Sequence, residues 1–138
     1  MDWGRLKPCK MIKVAINAAI INEEQTGLGV YAQELVSALL SIGSPKWDFI
    51  VYTSSSSLKR LFPEKVCLIS TLLSPDAGLK GHFLRLLWEQ TKLPLMLRSE
   101  GVSLLYSPAP EGSLTAKLKQ IITLHDILPL RYPEIYSK

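Results

Sequence analysis

The sequence predicts an α/β fold, an open parallel sheet doubly wound by helices, on three observations. Apolar runs of strand length, rich in Val and Ile, alternate with stretches whose apolar residues recur every three or four positions. The first run is near-continuous rather than alternating, as in a strand covered on both faces. The connections are short, so a strand–helix–strand order closes into a parallel sheet.

Met11 to Ala18 is the first strand. From Leu28 the period changes: Leu28, Tyr31 with Ala32, Leu35, Leu39 and Ile42 share one helical face, and Gly43 is the expected stop. Asp48 to Thr53 is the second strand. The serines from Ser54 to Ser57 offer a cap for a short helix running to Phe62, which Pro63 ends. Val66 to Ser70 is the third strand, and Ser74-Pro75-Asp76-Ala77-Gly78 is turn chemistry. Two helical pieces follow, Leu79 to Thr91 and Leu93 to Glu100, the second with Pro94 in its first turn. Ser103 to Tyr106 and Gln120 to Leu124 are strands four and five, separated by Pro108 and Pro110. The expected sheet order is 3-2-1-4-5. No internal repeat or flexible linker interrupts this pattern.

Composition bounds the function. At 138 residues, 47% hydrophobic and 20% charged, the chain reads as one globular domain that buries about two thirds of its unfolded surface. Sixteen basic against twelve acidic side chains give a net charge of +4. That surplus suits a phosphate-bearing ligand or an anionic membrane surface. It is too weak to argue for nucleic acid, and no zinc-finger spacing or RNA-binding aromatic motif accompanies it. Cys9 and Cys67 lie far apart without CxxC spacing, which favours free thiols in a reducing compartment over a disulfide or zinc site. Met1 to Pro8 has no signal-peptide core, and no apolar run nears the roughly 20 residues of a membrane span, so a cytoplasmic protein is expected.

Ligands of such sheets bind beyond the carboxyl ends of the strands, where the strand order reverses. Three segments are expected on that rim: Thr26 to Gly29, Ser107 to Pro110, and His125-Asp126. The glycines of Thr26-Gly27-Leu28-Gly29 stand where strand one hands over to a helix. They mark a tight turn or a close approach by a phosphate, a sugar ring or neighbouring backbone. Several chemistries fail on spacing. A dinucleotide fingerprint lacks its third glycine at Ala32 and an acidic end to strand two, and the P-loop and G-x-S-x-G motifs are absent. His125-Asp126 would need further histidine ligands to hold a metal, and His82 is the other histidine in the chain.

The residues resemble a known family. Thr26-Gly27-Leu28-Gly29-Val30-Tyr31 leading into Glu34-Leu35, Trp88-Glu89-Gln90 followed by Leu93-Pro94, Tyr106-Ser107-Pro108, and Ile122 to Ile127 with Tyr132-Pro133 occur in the order and at the spacing of the N-terminal half of a family 4 glycosyltransferase. The likeness runs from about Lys13 onward. It implies the GT-B fold, in which this half is a Rossmann-like, acceptor-side domain, and transfer of a sugar from a nucleotide-sugar to a glycan or lipid-linked acceptor, a retaining reaction as in bacterial mannosyltransferase-like enzymes. No metal or separate cofactor is implied.

The resemblance assigns roles by position. Gly27, Leu28 and Gly29 would lie against the donor diphosphate, for which a glycine-rich helix N-terminus offers backbone N–H groups and a positive dipole end. His125 would approach the transferred sugar, against the plainer reading of a satisfied rim histidine. Asp126 would orient that imidazole or cap the following helix. Trp88 is expected in the core, while Glu89 and Gln90 line the acceptor side of the cleft or belong to solvated helix surface. Lys80, Arg85, Lys92 and Arg98 form either a basic face that docks on anionic lipid or exposed cations on a core helix.

A complete family member has a second domain that carries an E-x7-E motif, and Glu23 and Glu24 have no partner eight residues on. The chain is therefore expected to be a truncated or split N-terminal domain. A non-catalytic module binding a glycan or partner protein is the alternative. Self-association, or pairing with a missing C-terminal half, is expected through the uncovered edge of strand five.

Overall fold

The strand runs of the sequence form one sheet. The computed structural model describes residues 11–22 and 26–136, so Cys9, Glu23 and Glu24 lie outside the described residues. Strands β1 (Ile12–Asn17), β2 (Trp47–Thr53), β3 (Val66–Leu68), β4 (Leu104–Ser107) and β5 (Lys119–Ile122) are all parallel and stand in the order β3-β2-β1-β4-β5. The order is the expected one, in a Rossmann-like arrangement. Helices α1 (Gly27–Ile42), α2 (Ser56–Leu61) and α3 (Gly78–Ser99) cover the sheet, and two short helices, α4 (Leu128–Arg131) and α5 (Pro133–Tyr136), follow β5. Two 3-10 turns, Thr71–Leu73 and Pro75–Ala77, lead from β3 into α3.

Alternation along β1 sends its side chains to two cores. Ile16 joins Val51, Val66, Ala32, Val36 and Leu58 under α1 and α2. Ala15 joins Tyr52, Leu105, Trp88, Leu93 and Leu97 under α3. A central strand buried on both faces needs an unbroken apolar run, which is what residues 14–16 supply. At the other extreme β5 is an edge, with Ile121 and Ile122 exposed along with Leu124 beyond it.

Side chains set the helix ends. The Thr26 hydroxyl accepts the Gly29 N–H at 3.1 Å and satisfies one of the four donors that a helix start leaves unpaired. Helix α1 thus begins at Gly27, so both glycines belong to its first turn rather than to a loop. Ser55 caps α2 in the same way through the Leu58 N–H.

Helix α3 corrects the expectation of two pieces: it runs unbroken for 22 residues with Pro94 inside. A proline there removes the bond to the carbonyl four residues back, a defect of about 3 kcal/mol in an ordinary helix. The carbonyl concerned is that of Gln90, and the Thr115 hydroxyl donates to it at 2.7 Å. Leu93 and Leu97, both fully buried, hold the helix down on either side. Arg85 is a second correction. It is 3% exposed, so it is no surface cation, whereas Lys80, Lys92 and Arg98 are exposed. Among the described residues no helix is long and apolar enough to cross a membrane.

Candidate functional site

The sheet reverses its winding between β1 and β4, and the strand ends there carry two side-chain clusters, one on each face. On the α1 face, the first turn of α1 meets the segment after β5. The His125 ring stands edge-on to Tyr31, with centroids 4.9 Å apart. His125 Nε2 lies 2.7 Å from the Pro108 carbonyl, which follows β4. A carbonyl only accepts, so Nε2 carries the proton and Nδ1 is left as the nitrogen able to accept one when the ring is neutral. Tyr106, at the end of β4, hydrogen-bonds the Thr123 hydroxyl at 3.0 Å. Burial raises its phenol pKa and the neighbouring Tyr31 hydroxyl adds to that, while the Thr123 bond works the other way.

The glycines differ in what surrounds them. Gly27 is exposed, and a Cβ there would meet nothing within 4 Å, so a ligand group can approach the start of α1 from that side. A Cβ at Gly29 would stand 2.7 Å from Asn22 Oδ1 and 3.0 Å from the capping Thr26 Oγ1. Gly29 is there because its own cap and Asn22 press against it. Asn22 Nδ2 in turn donates to Asp76 at 3.0 Å. Beside this pair lies a polar hollow of about 200 Å³, lined by Asn22, Ser54, Ser55, Thr71, Ser74 and Asp76. Another hollow, of about 620 Å³, is mostly apolar and lies between Leu39, Ile42, Trp47 and Ile121, beside the start of β2.

On the α3 face the cluster is buried and charged. Asn17, the last residue of β1, donates to Glu89 Oε1 at 2.7 Å. Arg85 forks onto Glu111, with Nε and Nη2 each 2.8 Å from a carboxylate oxygen, and its Nη1 donates to the Leu73 carbonyl at 3.1 Å. Glu89 is 0% exposed, neither lining an open cleft nor standing on solvated helix surface. Gln90 is spent on the β4–β5 connection, donating to the Gly112 carbonyl at 2.8 Å and accepting from the Leu114 N–H at 2.7 Å. Asp126 Oδ1 accepts the Leu128 N–H at 2.7 Å and so caps the start of α4. Trp88 lies in the core, edge-on to Tyr52 at 6.4 Å.

Comparison with known proteins found no matching family model, no similar curated protein and no similar solved structure.

Sequence reasoning found the rim but missed Tyr31, Tyr106 and Thr123 as its members. The signal was a pair of tyrosines placed where a helix starts and a strand ends. It also missed that Arg85 and Glu89 occupy the buried row Gly81, Arg85, Glu89, Leu93, Leu97 of α3, whose four-residue spacing is visible in the sequence. Among the described residues no group of three or more His, Cys, Asp or Glu side chains could hold a metal ion. Cys67 is a free, half-buried thiol.

Proposed function

We propose that this chain is the acceptor-side half of a sugar-transferring enzyme of the family 4 glycosyltransferase type. The observation that carries the reading is the meeting of the open first turn of α1 at Gly27 with the rim histidine, His125, through Tyr31. Phosphate oxygens of a nucleotide-sugar suit the N–H groups and dipole of a 16-residue helix. Nδ1 of His125 supplies a hydrogen-bonding partner beside that position, suited to a sugar hydroxyl. The polar hollow at Asn22, Ser54, Thr71 and Ser74 is lined by hydroxyl and amide groups of the kind that bind the hydroxyls of an acceptor glycan.

In this reading the groups that stabilise the leaving diphosphate belong to a separate donor-binding half. The 138-residue chain alone then transfers no sugar, and turnover by it would remove that half from the scheme. The decisive experiment is a titration of the isotope-labelled chain, followed by amide and imidazole NMR shifts, with nucleoside diphosphates, nucleotide-sugars and oligosaccharide or lipid-phosphate acceptors. The expected result is a set of shifts at Gly27, Leu28, Gly29 and His125, lost in His125→Ala for the sugar-bearing ligands. Glycan binding with an unmoved α1 start would favour a non-catalytic glycan-binding module. No shift with any of these ligands would overturn both readings.

A further inference from the structure

We propose that Glu89 is a neutral carboxylic acid which donates its proton to Glu111, forming a latch that ties β1, α3 and the β4–β5 connection together.

Charges and donors do not balance in this cluster. Glu89 Oε1 accepts from Asn17, but Oε2 is buried with no hydrogen-bond partner. Such an atom in a wholly buried carboxylate is costly. No Arg85 donor reaches it: Nε and Nη2 bond Glu111 and Nη1 bonds the Leu73 carbonyl. Two carboxylates thus share one buried guanidinium, and the second negative charge has no partner. Placing a proton on Glu89 Oε2 removes the surplus charge and turns the orphan acceptor into a donor. The Glu111 carboxylate is the neighbour that accepts it.

The proton belongs on Glu89 rather than on Glu111. The bidentate fork from Arg85 favours the ionised form of Glu111, and its hold outweighs the effect of burial, so that carboxyl titrates below its ordinary range. Burial, followed by the charge of Glu111, pushes Glu89 from its ordinary 4.5 up to about 7, against the pull of the Asn17 bond and of Arg85. Of the other groups around the cluster, His82 Nδ1 lies 3.1 Å from Arg85 Nη2 and 3.7 Å from Glu111 Oε1, so positive charge on that ring favours an ionised Glu111 and keeps the proton on Glu89. Tyr52 of β2, in the same core, is held neutral by burial, its pKa pushed up to about 12.

The latch matters because of what it joins. Asn17 Oδ1 also receives the Ala19 N–H at 3.4 Å at the start of the path toward the glycines, and Glu111 begins the segment that leads toward β5. Glu89 is a positioning residue for the rim, acting through Asn17, and this holds whatever ligand the rim takes.

The sign of the pH effect follows from the raised pKa. The folded chain keeps a proton that the unfolded chain releases near 4.5, so the contribution is full below that pH and is lost as pH rises to about 7. The test compares urea unfolding of the full chain and of Glu89→Gln between pH 4.5 and 8. The amide permanently mimics the acid, accepting from Asn17 and donating to Glu111. Relative to Glu89→Gln, the wild-type unfolding constant should rise by roughly a hundredfold across this window. Carbon-13 NMR of labelled glutamate in the wild type should show Glu89 titrating with a midpoint near neutrality, and this reading stands even if the variant does not fold. An identical pH profile in the two proteins, or a Glu89 carboxyl that titrates in the ordinary range, would overturn the latch.

Discussion

Placing a methyl group at Gly27 and, separately, at Gly29 asks why two glycines open α1. At Gly27 the new Cβ meets nothing within 4 Å. Alanine also replaces the least favoured non-proline helix residue, a gain of about 1 kcal/mol in a helix interior and roughly half that in the first turn. Gly27→Ala should therefore stabilise the fold by about 0.5 kcal/mol. The same gain applies at Gly29, but there the Cβ falls 2.7 Å from Asn22 Oδ1 and 3.0 Å from Thr26 Oγ1. The Asn22 amide must swing away, which breaks its bond to Asp76, worth about 1 kcal/mol. The Thr26 hydroxyl must give by a few tenths of an ångström, which costs about half of a cap bond worth about 1 kcal/mol. The net result for Gly29→Ala is a loss of about 1 kcal/mol. The two variants should then differ by about 1.5 kcal/mol in urea unfolding, or roughly 5 °C in melting midpoint for a chain of this size. If both substitutions shift stability in the same direction and by the same amount, crowding at Gly29 is not what requires glycine, and the account of the α1 start fails.

Two further outcomes follow from the packing. Gly81→Ala puts a Cβ 2.6 Å from Ala77 Cβ and 2.7 Å from the Ser74 carbonyl, atoms of a turn that cannot swing aside, so thermal melting should show a loss of about 2 kcal/mol. Tyr52→Phe removes a buried hydroxyl that has no hydrogen-bond partner, so calorimetry should find the variant unchanged or more stable by up to about 1 kcal/mol, and a loss above that would mean the hydroxyl is bonded.

What could be read in the sequence was whatever depends on neighbours along the chain. The run around β1, the period of α1 and its stop at Gly43 are local patterns, and the strand order followed from short connections. Trp88 was legible as core from its spacing to Leu84, whereas Leu87, read as sharing that face, is exposed. The break placed near Pro94 was a misreading because a proline is a local signal, whereas the hydroxyl that offsets it comes from Thr115, 25 positions later. The same applies to the buried cluster. Glu89 meets Asn17 across 72 positions and Arg85 meets Glu111 across 26, distances over which no periodicity carries information. Gly29 is the intermediate case. The sequence showed that something comes close, and the structure identified it as Asn22 and the capping threonine.

The central place of β1 has a consequence for synthesis. Its partner on one side, β2, leaves the ribosome soon after it, but its other partner, β4, is completed roughly fifty residues later. At about 5–20 residues per second, the nascent chain spends roughly 3–10 s with one side of its most apolar strand unpaired. Folding during translation therefore cannot close the sheet in chain order. The emerging β1–α1–β2 unit must be shielded for that interval, so the N-terminal third of the chain is where a trigger-type chaperone would engage it and where slowed translation before β4 would raise misassembly.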